Sequence, residues 1–333
     1  MLFIPDDILR ALYVDFDMST RDKIYLMSTC HTLKNQINIT SLLISPSNYV
    51  RSYNYFINDY RINNNVLRQQ KFQNITSLNI ENNKNITDVY YLTLLRDLDV
   101  YGSCNINYFN NLTNLTKLNL CFSHRFEGEI DLDISLLSQL TYLDIRFSNI
   151  KQHNIKNLIN LTTLKLCGNC YINNIKHLTN LTHLETSGKS DNIGQDNIYN
   201  LTKLITLNIN DNINITDIRT LTNLTCLKIR CYYKVEQNSI DIRTLTNLTC
   251  LKIGHYSKIE QNSIDKLTNL STLDIYNNNN ITNINHLTKL TDLDISGSCC
   301  IDQTGIMNLH SLTKINYNYN YKITSTAHLT NLR

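Results

Sequence analysis

Leu204-Ile205-Thr206-Leu207-Asn208-Ile209-Asn210-Asp211-Asn212 carries the pattern from which the rest of the chain is built. Leu207 and Ile209 alternate with polar residues, which is the signature of a short strand with one buried face. Three residues past Ile209 stands Asn212, whose side chain can bond backbone groups of a neighbouring turn. The same phrase restarts with its leading apolar residue at Phe72, Leu92, Leu112, Leu137, Leu158, Leu178, Leu201, Leu221, Leu245, Leu267, Leu287, Leu309 and Leu329. The steps are 20, 20, 25, 21, 20, 23, 20, 24, 22, 20, 22 and 20 residues, giving twelve complete units and the opening of a thirteenth. Asp217 to Ile240 and Asp241 to Ile264 match at 20 of 24 positions, which points to a tandem duplication. Such periodicity means that one supersecondary unit is stacked on copies of itself.

Composition agrees with a repeat built without the usual turn formers. The 333 residues include 50 Asn but only 8 Gly and 2 Pro. Asn tolerates the left-handed conformation and bonds its own backbone, so it can take over turn positions. Charged residues make up 18% of the chain, below the usual quarter, and the net charge is +3. An apolar content of 42% excludes a disordered chain.

At Leu161-x-x-Leu164-x-Leu166-x-x-Asn169 and Leu204-x-x-Leu207-x-Ile209-x-x-Asn212 the sequence resembles the leucine-rich repeat family. With steps this short, the units are most similar to those of internalins and related intracellular repeat proteins. The resemblance implies an α/β leucine-rich repeat solenoid, with a parallel sheet on a concave face and short 3₁₀ or extended segments on the convex one. Concave solenoid faces bind partners. The polar residues flanking each buried pair are therefore the candidate binding residues: Asp97, Asp99, Tyr101, Lys117, Tyr142, Asp144, Arg146, Lys165, His183, Glu185, Lys228, Arg230, Lys252, Asp274, Tyr276, Asp292 and Asp294. Read along the chain, Lys228, Arg230 and Lys252 form a basic patch that adjoins an acidic one at Asp274, Asp292 and Asp294. The alternative is that these charges only solvate the sheet.

Residues 1–36 do not carry the repeat, and residues 37–71 read as a degenerate first strand followed by an Asn/Tyr-rich insertion before the repeats of 72–333. Pro5-Asp6-Asp7 suits a first helical turn, with Ile8, Leu9 and Leu12 on one edge. Ser19-x-x-Asp22 opens a second helix that carries Leu26 and Cys30. The wording Ile4-Pro5-Asp6-Asp7-Ile8-Leu9, then Asp15-Phe16-Asp17, then Asp22 to Cys30, resembles an F-box, although the Trp usual soon after the Cys is missing. The resemblance implies that Pro5, Ile8, Leu9 and Cys30, supported by Leu12 and Leu26, dock on a Skp-type adaptor of a cullin-RING ubiquitin ligase. The chain would then be a substrate receptor that holds a protein target on its concave sheet. The competing reading makes the helices a plain cap of the solenoid.

The remaining signals exclude more than they assign. No P-loop, Gly-x-Ser-x-Gly or His-Glu-x-x-His motif is present, so the chain reads as non-enzymatic, with no cofactor. Cys167-x-x-Cys170 has metal-like spacing but lacks a second Cys/His pair, so no metal is expected. Cys226 and Cys250 occupy equivalent positions of the duplicated pair, close enough for a disulfide but read as two thiols copied together. Met1 to Asp7 lacks the basic start and apolar core of a secretion signal, and no apolar run approaches a membrane span. The ten cysteines fit a reducing interior, so the expected location is cytoplasmic. The Asn-, Ile-, Tyr- and Lys-rich composition resembles that of proteins from amoebae and large DNA viruses, which would make the location host cytoplasm or nucleus. Net charge +3 with adjoining carboxylates speaks against nucleic acid as a partner.

Overall fold

The period-two pattern folds into a parallel β-solenoid, one short strand per repeat. A computed structural model of the chain describes residues 41–43, 63–68, 72–102, 106, 108–121, 132–188, 192–230, 240–254 and 257–333. The F-box-like stretch, with Pro5, Ile8, Leu9, Leu12, Leu26 and Cys30, lies outside them. The chain forms two compact units, 1–143 and 144–333.

In the first unit the strands are β1 (Ser41–Leu43), β2 (Ser77–Asn79), β3 (Asp97–Asp99), β4 (Lys117–Asn119) and β5 (Tyr142–Asp144), the last containing the unit boundary. β1 to β4 pair in parallel and in chain order, with Leu42, Leu78, Leu98 and Leu118 in one register row. The second unit holds β6 (Thr163–Lys165), β7 (His183–Glu185), β8 (Thr206–Asn208), β9 (Cys226–Ile229), β10 (Cys250–Ile253), β11 (Thr272–Asp274), β12 (Asp292–Asp294) and β13 (Lys314–Asn316). Here Leu164, Leu184, Leu207, Leu227, Leu251, Leu273, Leu293 and Ile315 fall into register. The leucines of β6 to β12 are at most 1% exposed, whereas Ile315 of β13 is only half-buried. Each full burial is worth about 1.5–3 kcal/mol, so the row of leucines is the main glue between neighbouring repeats.

Buried asparagines complete the stack. Asn212 Nδ2 donates to Thr186 Oγ1 at 3.2 Å and to Ile193 O at 3.1 Å, and its Oδ1 accepts from Asn214 N at 2.9 Å. Asn169 does the same toward Ser148 and Ile150, and Asn320 toward Ile295 and Ile301. Just before the buried asparagines Asn83, Asn212 and Asn278 the chain passes through a left-handed residue: Asn82, Asp211 and Asn277 have φ of 57°, 55° and 55°. Asn and Asp tolerate that region where most residues do not. Gly168 takes φ 73°, and a Cβ there would meet the Phe147 ring at 2.5 Å.

Two further ladders come from the Leu-Thr-Asn-Leu-Thr phrase. Asn114, Asn180, Asn223, Asn247 and Asn269 each donate Nδ2 to a carbonyl one repeat back, at 2.9–3.1 Å. Thr182, Thr249, Thr291 and Thr313 hydroxyls donate to Thr162, Thr225, Ser271 and Thr291 carbonyls at 3.0–3.2 Å. Repeat length decides where helix appears. Among the described residues of the second unit, α2 (Gln152–Ile155), α3 (Gln195–Ile198), α4 (Gln261–Ile264) and a 3₁₀ turn, η1 (Gln303–Ile306), fall in repeats of 21, 23, 22 and 22 residues. The 20-residue repeats cross in extended segments and turns. In the first unit, α1 (Asn64–Leu67) precedes β2. Each of these four crossings opens on a Gln that clips to the next repeat. Gln195 Oε1 accepts from Thr216 N and Asp217 N at 2.9 and 2.7 Å, and its Nε2 donates to Asp217 O at 2.6 Å.

Candidate protein-binding face

Each of β2 to β12 sends its first, third and fifth residues out of the sheet, because the second and fourth are the buried pair. The fifth residue lies in the turn, where its backbone N–H needs an acceptor. In most repeats that acceptor is the third residue's own side chain. Oδ1 of Asn79, Asp99 and Asn119 in the first unit accepts from Glu81, Tyr101 and Cys121 N at 2.9–3.0 Å. In the second unit Asp144, Asn208, Asp274, Asp294 and Asn316 accept from Arg146, Asn210, Tyr276, Ser296 and Asn318 N at 3.0–3.3 Å. Four sequence-predicted binding carboxylates, Asp99, Asp144, Asp274 and Asp294, thus perform a backbone task that Asn performs elsewhere. Asp144 is 1% and Asp274 7% exposed, and burial pushes the Asp99 carboxyl above the usual range.

Arginines neutralise the most buried of these carboxylates. Arg146 forks onto Asp144, Nε to Oδ1 at 2.9 Å and Nη2 to Oδ2 at 2.7 Å, and lies 4.0 Å from Glu185. Arg230 pairs with Asp274 two strands away. The fifth position of the intervening repeat is Gly254, which presents no side chain in the path. The expected basic and acidic patches are therefore joined by an internal ion pair. Asp294 accepts from Asn316 Nδ2 at 2.9 Å, and Asp292 lies 3.9 Å from Lys314 Nζ.

Four strands break the rule. The third residue is Lys165 in β6, Glu185 in β7, Lys228 in β9 and Lys252 in β10. None of these side chains closes its own turn. Ser187 N bonds Cys167 Sγ instead, at 3.3 Å, and Arg230 N bonds Asn210 Oδ1 at 2.7 Å. This relieves the third residue of its backbone duty and leaves a charged side chain on the surface. His183 is exposed in β7, with Nδ1 2.8 Å from Thr182 Oγ1. Cys226 and Cys250 face each other in register in front of Lys228 and Lys252, which are also in register. The Cys226 thiol is pushed down, first by the neighbouring Cys250 thiol and then by the attraction of both lysines, while the same neighbour contact and burial push Cys250 up. Of the remaining predicted residues, Asp97, Tyr101 and Tyr142 are half-buried and Lys117 is exposed on the first unit, while Tyr276 on the second is 48% exposed.

Among the described residues no cluster of three His, Cys, Asp or Glu side chains is placed to hold a metal ion, and no helix is long and apolar enough to cross a membrane. The sequence reading did not identify the turn-closing role of the third strand residue. Its signal is the recurrence of Asn or Asp at that position and its replacement by Lys or Glu in four strands.

Short parallel strands in register, a buried leucine row and an asparagine ladder define a parallel β-solenoid consistent with that of leucine-rich-repeat proteins. Matching chains of solved structures number 320. An internalin, InlF, from Listeria monocytogenes is similar at 27% identity and a TM-score of 0.55, over 74% of this chain and 75% of that one. The functional domain of InlJ from the same organism is similar at 23% identity and a TM-score of 0.55, over 79% of this chain and 58% of that one. No protein-family model matches the sequence, and no curated protein matches it significantly.

Proposed function

We propose that the chain is a non-enzymatic protein-binding scaffold that holds its target on the sheet face of the second unit, across β6 to β10. The observation that carries this reading is the replacement of the turn-closing Asn or Asp by Lys165, Glu185, Lys228 and Lys252. In the same unit, Asp274 and Asp294 serve the fold first. Internalin-like neighbours, which belong to a class of interaction scaffolds, support the general role. The test uses the full chain as bait and identifies retained proteins by mass spectrometry. Lys228→Glu combined with Lys252→Glu should weaken retention by about tenfold or more, as expected for reversed charges at an interface. Lys156→Glu, away from the sheet face, should leave it unchanged. Equal retention by all three proteins would remove the face as the binding surface.

A more particular reading rests on the wording of residues 4–30. In it, Pro5, Ile8, Leu9 and Cys30, with Leu12 and Leu26, recruit a Skp-type adaptor, and the scaffold is the substrate receptor of a cullin-RING ubiquitin ligase in the cytoplasm. Its support is the F-box-like sequence alone. Purified Skp-type adaptor should co-elute with the full chain and be lost on Ile8→Asp with Leu9→Asp. Absence of co-elution would leave the first helices as a cap and the general scaffold reading intact.

A further inference from the structure

The duplication that copied Thr-Cys-Leu-Lys placed two thiols and two ammonium groups in a square on the sheet face. Cys226 pairs in register with Cys250, and Lys228 with Lys252. Adjacent strands run about 4.8 Å apart, inside the Cα range that a disulfide spans. Both cysteines are thiols, both are half-exposed, and both point to the same side. At the corresponding position of other strands stand Ser77, Thr163, Thr206 and Thr272, so a cysteine is not required there for packing.

We propose that Cys226 and Cys250 form a redox-modifiable dithiol, closed to an inter-strand disulfide by an anionic low-molecular-weight disulfide such as glutathione disulfide. The Cys226 thiolate attacks one sulfur of the oxidant. That S–S bond breaks, and one glutathione leaves as a thiolate and takes up a proton. Cys250 then loses its proton to solvent and attacks the Cys226 sulfur of the mixed disulfide, expelling the second glutathione. The protein gives up two electrons and two thiol protons, and the oxidant becomes two thiols. The arrangement suits each step. The Cys226 thiolate is favoured by the neighbouring thiol and by the two lysines set in register beside the pair. The same lysines attract the carboxylates of the oxidant, and the second thiol is already in place.

Trypsin gives an unusually direct readout. Residues 220–228 and 244–252 are the same nonapeptide, Thr-Leu-Thr-Asn-Leu-Thr-Cys-Leu-Lys, each preceded by Arg. Reduced full chain is incubated with glutathione disulfide, its remaining thiols are alkylated, and the monomer band from a non-reducing gel is digested. A symmetric disulfide-linked dimer of the nonapeptide is expected. It should be absent from Cys226→Ser and Cys250→Ser, whose remaining cysteine should keep its glutathione. Serine stands at this position in β2, so these variants retain the fold. Lys228→Gln with Lys252→Gln should slow bridging several-fold with glutathione disulfide but not with the uncharged oxidant diamide. Separate glutathione adducts on both wild-type peptides, or the bridge only in cross-linked dimers of the chain, would overturn the dithiol. Equal rates for the lysine variant with both oxidants would overturn the preference for an anionic disulfide.

Discussion

Strands β11, β12 and β13 and strands β6, β7, β9 and β10 belong to one unit and follow one repeat pattern, yet they use their outward faces differently. Along the first group, Asp274, Asp294 and Asn316 turn a side-chain oxygen back onto the chain two residues ahead, at 3.0–3.3 Å. Along the second group, Lys165, Glu185, Lys228 and Lys252 do not, and in β7 and β9 the turn borrows an acceptor from the repeat before. A polar side chain with a local backbone partner is committed to folding. The difference therefore separates charges that close a turn of the solenoid from charges that close none, although in one dimension both look like polar residues flanking leucine. Substitutions in the two groups should differ in what they damage.

The largest effect is expected at a feature common to both groups, the buried ladder. Asn212 is 0% exposed and satisfies the Thr186 hydroxyl, the Ile193 carbonyl and the Asn214 amide. Asn212→Ala leaves these groups unpaired in the interior, at about 1–3 kcal/mol for each that water cannot reach. A total loss of about 3 kcal/mol is expected, measured as a fall in the urea midpoint with an unchanged slope. A loss below about 1 kcal/mol would mean that the ladder only accompanies the leucine row.

Leucine register, repeat length and the ladder asparagines were legible in the sequence because each depends on residues close together in the chain. The rest was hidden by distance. Asn180 bonds a carbonyl 21 residues back, and Gln195 clips amides 21 and 22 residues ahead. Neither partner carries a side-chain signal, so the Leu-Thr-Asn-Leu-Thr phrase and the isolated glutamines read as mere repetition. Arg230 and Asp274 are 44 residues apart and join across the repeat whose fifth position is Gly254. A list of outward charges could not show that pairing, and it made a salt-bridged, turn-closing aspartate look like half of an acidic patch.

A smaller effect tests that aspartate. Asp274 accepts the Tyr276 amide and pairs with Arg230. Asp274→Asn keeps an oxygen for the amide, as Asn208 and Asn316 do, and loses only the charge. A cost of about 0.5–1 kcal/mol is expected, because Arg230 is partly solvated and can turn to water. Asp274→Ala loses both interactions and should cost about 2 kcal/mol. Equal costs in chemical denaturation would make the ion pair, and not the turn, the reason for an acid here.

The smallest effect on stability, and the most informative contrast, is expected at Lys252. Its side chain closes no turn, and among the described residues its ammonium group makes no ion pair. Lys252→Ala should therefore change the unfolding free energy by no more than about 0.5 kcal/mol, against about 2 kcal/mol for Asp274→Ala one strand away. If the face binds an acidic target, the same substitution lowers the association rate and flattens its dependence on salt, while dissociation changes little. Asp274→Asn, which alters charge at a buried and already neutralised site, should move the association rate far less than Lys252→Ala does. Stopped-flow association at low and high salt, run beside denaturation of the same variants, reads both quantities. A Lys252→Ala protein that loses stability as Asp274→Ala does would place lysine among the residues that hold the solenoid together and erase the distinction between the two groups of strands.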